Sequence, residues 1–231
     1  MAEDRSSTPL GTLAASLRTA RSAAVGGLVF AVGMVAVLVL FRSAFPLDAA
    51  MDGSYTPIPE AFDRGRWALL LLPYVGIAFI WFMASLNYSL GHADHRLFTT
   101  VFLASGMILV GLVFVAGAVG SAELEAMAAG IDVSEPSRII PGATVNALLI
   151  NYSARIAAVF CLALATFGRL RSLLPRWLTL LGTLTGLFLL LVPFGVRHIE
   201  FVFPAWIAVV SAYLLITDPG GKWRGKAGSA T

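Results

Sequence analysis

The stretch Ala23–Phe41, AAVGGLVFAVGMVAVLVLF, decides the fold class. Its 19 residues carry no charge, and Arg42 closes it. A helix rises about 1.5 Å per residue, so roughly 20 apolar residues cross a hydrocarbon core about 30 Å thick. A secretory signal core holds only roughly 7–15 apolar residues before a small-residue cleavage site. The stretch is too long for that and reads as a retained transmembrane helix.

Outward from it, the same pattern recurs five times. Further spans fall at 67–90, opened by Trp67, and at 97–119, 143–167, 177–194 and 199–217. Between them lie a polar loop at 43–66, a short turn at 91–96 and an acidic loop at 120–142. The acidic loop should hold a short helix at 122–129, ended by Gly130. A basic turn at 168–176 and an outer turn at 195–200 complete the connections. The expected fold is therefore all-α, a bundle of six transmembrane helices over residues 23–217. Residues 1–22 form an N-terminal arm, where Thr8-Pro9 could start a short helix lying at the membrane surface. An unstructured arm is the alternative. Residues 218–231, rich in Gly and Lys, read as a disordered tail.

Composition agrees with this class. The chain has 231 residues, 58% hydrophobic and 13% charged, with a mean hydropathy of +0.84. Soluble domains average about 25% charged residues, so a soluble enzyme or nucleic-acid-binding domain is excluded. The single cysteine, Cys161, excludes an intrachain disulfide. No metal or cofactor is expected.

The net charge of +3 is a topology signal. With the N-terminus inside, the cytoplasmic segments carry ten basic residues and the external ones five. The positive-inside rule then places both termini in the cytoplasm of a plasma-membrane protein. Many transporters are built from inverted repeats, but no residue pattern recurs between the two halves here.

Arg155 is the most informative residue, because it lies near the middle of the fourth span. A charge there costs roughly 2.5–3.5 kcal/mol on insertion scales and usually faces the bundle interior or a wet cavity. Asn151 and Tyr152, at i−4 and i−3, share its side and make with it a candidate intramembrane polar site. An intramembrane salt bridge is unavailable to Arg155 unless Glu200 or a loop acid folds inward, and the neutral partners at similar depth are Ser105, Thr183, Thr185 and backbone carbonyls. Arg155 either binds an anion, such as a lipid phosphate or a carboxylate, or is held by carbonyls and hydroxyls that lock helix packing.

Other motifs point to structure. His92, Asp94 and His95 in the 91–96 turn lack the i, i+4 helical spacing of a zinc site and read as solvated. His198, Arg197 and Glu200 read as a surface ion-pair group in an outer turn. Gly182 and Gly186 form a GxxxG pair, and Ala116 and Gly120 a second small pair, suited to close helix packing within the chain or in a dimer. A nucleophile elbow, a phosphate-binding loop, an acyltransferase HxxxxD and a selectivity-filter motif are all missing.

Four stretches carry a resemblance. They are Leu71–Phe82 (LLPYVGIAFIWF), Arg96–Gly106 (RLFTTVFLASG), Leu174–Gly182 (LPRWLTLLG) and Phe203–Trp206 (FPAW). Together they resemble a family of six-span bacterial integral membrane proteins of unknown function. The resemblance covers spans two to six and implies a membrane bundle, with no catalytic residue to carry over. The leading expectation is a non-enzymatic membrane component or accessory subunit that binds lipids, another membrane protein or a second copy of itself, and no nucleic acid. A small transporter or channel for an anionic or amphiphilic solute, using Arg155 and Asn151, is the alternative, and a lipid-modifying enzyme comes third.

Overall fold

The computed structural model describes residues 9–44, 59–89, 96–129, 142–170, 174–193, 196 and 198–217. Six α-helices are named among the described residues: α1 (Pro9–Ala44), α2 (Pro59–Ser89), α3 (Arg96–Ala128), α4 (Ser153–Leu170), α5 (Arg176–Leu191) and α6 (Val202–Ile216). A π turn, Ala147–Tyr152, leads into α4, and a 3₁₀ turn, Ile199–Phe201, leads into α6. No strand occurs among the described residues. Five segments are long and apolar enough to cross a membrane: Arg21–Ala44, Asp63–Tyr88, Leu97–Ala126, Gly142–Leu170 and Ile199–Ile216. The fifth apolar segment of the sequence forms α5, whose 16 residues extend only about 24 Å.

Three boundaries differ from the sequence reading. Helix α1 runs unbroken from Pro9 into the first span, so the surface-lying helix expected at the N-terminal arm is instead the start of α1. Helix α2 begins at Pro59, inside the expected polar loop. Helix α3 passes through Gly120 to Ala128, merging the third span with the short helix expected after it. Proline fits the first turn of α1 and α2 because its missing N–H has no helical acceptor there. Polar residues beyond the hydrocarbon do not break a helix; they only move its end into a wetter layer. Residues 91–95 of the expected 91–96 turn, with His92, Asp94 and His95, and the tail at 218–231, lie outside the described residues.

Sequential helices are neighbours, and α6 returns to pack on α1, which also makes the most extensive interface, with α2. The six therefore close a ring. Phe30, Phe79, Phe102, Phe160 and Phe203, from α1, α2, α3, α4 and α6, meet in its centre. Their ring centroids lie 4.4 Å (Phe30–Phe79), 4.8 Å (Phe102–Phe160) and 5.7 Å (Phe160–Phe203) apart. Such tilted and edge-on pairs contribute about 0.5–1.5 kcal/mol each beyond burial. The outward faces are apolar too: Val25, Val29, Val32 and Val39 of α1 are all exposed. A helix apolar on both faces is the signature of a lipid surround.

Lipid is as apolar as the core, so close packing has to hold the helices together. At Gly27 a β-carbon would lie 2.0 Å from Ser211 Oγ of α6 and 2.8 Å from the Phe82 ring of α2. Gly27→Val is expected to destabilise by about 1–3 kcal/mol through overpacking, read as thermal unfolding in detergent, with partial recovery on adding Ser211→Gly. An unchanged midpoint in Gly27→Val would show that α1 does not approach α6 this closely. The GxxxG pair is used inside the bundle as well. Gly182 faces Trp206 and Ala165, Gly186 faces Leu162 and the Ala158 carbonyl, and Gly120 faces Phe41.

Candidate functional site

Arg155 sits one turn beyond the π turn. A π turn holds one residue more than an α turn, which leaves a carbonyl in excess where the helix returns to α pitch. Ser153, at that junction, directs both its backbone N–H and its Oγ (2.6 Å) to the Leu148 carbonyl. Arg155 donates from Nη1 to the Asn151 carbonyl at 3.2 Å and from Nη2 to the Val192 carbonyl at 2.8 Å. Val192 closes α5, its N–H bonded to Phe188 O. Pro193 follows and has no N–H with which to continue the helix. The guanidinium thus stands at the C-terminal end of α5, where the helix dipole favours a cation. It ties that end to α4.

The polar stripe read from spacing is brought together only in part. Asn151 reaches Arg155 through its main-chain carbonyl, whereas Tyr152 is 63% exposed. Ser105 and Thr183 bond carbonyls of their own helices, Phe102 O and Thr179 O. The Asn151 and Val192 carbonyls both accept from the Arg155 guanidinium.

Glu200 overturns the reading of the outer turn as a surface group. Its side chain is only 3% exposed, and it is paired with Arg42 at the end of α1, whose side chain is 35% exposed. The Arg42 Nη1 donates to Glu200 Oε1. Oε2, equally buried, has no hydrogen-bond partner among the described residues. His198, just before, is exposed and takes a left-handed backbone conformation, φ 66°, which turns the chain into the 3₁₀ segment. Arg197 lies outside the described residues. Sequence reasoning missed this pair because its members stand 158 positions apart, each at the edge of a polar loop. Among the described residues no three His, Cys, Asp or Glu side chains gather as metal ligands would.

Two concavities differ sharply in size. An internal cavity of about 40 Å³ adjoins Glu200, with walls from all six helices, among them Phe30, Phe79, Val110, Ala157, Leu189 and Phe203. An open groove of about 490 Å³ runs along the lipid-facing seam of α1 and α2. Gly26 and Ala78 form its floor: a β-carbon on Gly26 would lie 3.3 Å from the Ala78 carbonyl. Val25, Val29, Ile77 and Trp81 form its walls, all exposed, and Arg21 stands at one end. Trp81 Nε1 donates to Ser22 Oγ at 2.7 Å, and Ser22 and Ser85 lie 3.2 Å apart, so this seam is pinned by hydrogen bonds beside Arg21. From Arg21 to Val29 the groove extends about 12 Å, close to half the hydrocarbon thickness of about 30 Å.

Set against protein-family models, curated proteins and solved structures, the chain matches none.

Proposed function

We propose that the protein is a six-span plasma-membrane protein with both termini in the cytoplasm, acting without catalysis by holding an anionic phospholipid of the cytoplasmic leaflet. The groove between α1 and α2 carries this reading. It is large, apolar and about 12 Å long, and Arg21 stands where a phosphate would lie. With the N-terminus inside, that end meets the leaflet whose anionic lipids attract basic residues by about 1 kcal/mol each. The bacterial family resemblance is part of the same proposal. An anion transporter working through Arg155 has less support, since the guanidinium already donates to two carbonyls.

Mass spectrometry of the gently extracted protein, exchanged into nanodiscs of mixed anionic and zwitterionic phospholipid, tests the proposal. Arg21→Gln should lower retention of the anionic lipid about fivefold, the equivalent of 1 kcal/mol. Gly26→Leu, which fills the floor, should abolish retention of either class. Equal lipid retention by the wild type and both variants would overturn it.

A further inference from the structure

The internal cavity is enclosed. Of the residues around it only Leu149 is half-buried, and all the others are buried. Phe30, Phe79 and Phe203 are among its walls, and each ring is braced by the other two. Their centroids lie 4.4 Å (Phe30–Phe79), 5.8 Å (Phe79–Phe203) and 5.9 Å (Phe30–Phe203) apart. Turning one ring into the space would break its contacts with its partners, so the cavity is held open.

Polarity decides what fills it. Among the described residues around the cavity, Ser153 and Glu200 alone have polar side chains. The Ser153 Oγ already donates to the Leu148 carbonyl. Of the Glu200 carboxylate, Oε1 accepts from Arg42, and Oε2 has essentially no surface that a water-sized probe reaches. A buried water needs about two to four polar partners, and these side chains offer it at most the lone pairs of one hydroxyl. Such a space stays dry. Its walls then forfeit dispersion contacts, which an apolar molecule of the right size restores. An apolar cavity of about 150 Å³ takes up benzene or xenon. The space here is about 40 Å³, too small for a benzene ring but enough for about two or three heavy atoms, at about 10–15 Å³ for each water-sized group.

We infer that this cavity is a binding site for a small, uncharged apolar molecule, the size of xenon or dioxygen, held by dispersion contacts. Hydrocarbon dissolves such molecules better than water does, so the lipid surround supplies them. A chain still joined to a polar head group is excluded, because buried side chains close the cavity. The site stands independently of the groove between α1 and α2, with which it shares no lining residue.

Xenon under pressure is the probe, applied to the full chain in nanodiscs with ¹³C-labelled methionine methyl groups and with helium at equal pressure as control. Met34 lines the cavity, whereas Met83, also buried, and Met107, exposed, do not. The Met34 methyl signal should shift severalfold more than that of Met83 and should level off as xenon rises, as a filled site does. The Met107 signal should move in proportion to xenon without levelling off. Ala157→Leu, which enlarges a wall residue, should remove the levelling Met34 response. A Met34 response no larger than that of Met83, one that never levels off, or one that persists in folded Ala157→Leu overturns the inference. So does a water-to-methyl Overhauser effect at Met34 before xenon is added. The wild-type readings stand even if Ala157→Leu fails to fold.

Discussion

Arg42→Leu should destabilise the folded protein by roughly 3–5 kcal/mol, the usual result of breaking a buried ion pair from one side. The figure belongs towards the lower end, because the Arg42 side chain is 35% exposed and part of the desolvation falls on Glu200 alone. What remains is a carboxylate, 3% exposed, with neither oxygen satisfied by a described residue. The mirror variant, Glu200→Leu, should cost less. The freed Arg42 lies at the end of α1 and can extend its guanidinium towards the membrane surface, as long basic side chains do. Replacing both by leucine should come close to neutral, since apolar substitutes for a buried pair often stabilise by about 1–4 kcal/mol. Thermal or denaturant unfolding in one detergent, as a double-mutant cycle, reads all three. Equal, small losses in both single variants would show that the pair is solvated.

Arg155→Leu should have opposite effects on two measurable quantities. Removing the charge favours insertion of the fourth span by roughly 2.5–3.5 kcal/mol on translocon scales. Folding after insertion suffers, because the carbonyls of Asn151 and Val192 lose their guanidinium donors at about 1–3 kcal/mol each. Insertion efficiency should therefore rise while the unfolding midpoint falls. Arg155→Lys should fall between the two, since a single ammonium lacks the planar fork that reaches both carbonyls. Insertion is read by glycosylation mapping of the span and stability by unfolding of the purified protein. An unchanged midpoint in Arg155→Leu would show that the two carbonyl contacts carry no stability, and would reopen the anion-binding reading.

These two arginines also show how far sequence reading reaches. Arg155 was visible because a charge inside an apolar run is an exception, and the only abundant acceptors at that depth are carbonyls. Arg42 was not visible as a special residue, because at a loop edge it looks like any topology-setting charge. The same holds for Glu200, which burial turned from a loop acid into the second half of an ion pair. Helix ends were misplaced at Pro59 and Gly120 for a related reason. Hydropathy marks where the hydrocarbon ends, whereas a helix ends where its backbone hydrogen bonds stop, and α3 continues past Gly120 to Ala128.

Sequence by itself determined the membrane class, the approximate positions of the apolar segments and the residue, Arg155, that does not belong among them. Those follow from transfer free energies, which add along the chain and need no partner. Tertiary structure alone decided which carbonyls hold Arg155, that Arg42 meets Glu200, and that Gly26 and Ala78 hollow a groove beneath Trp81. Each depends on how two helices cross. That crossing is set by shape complementarity between residues far apart in the chain, which no local pattern records.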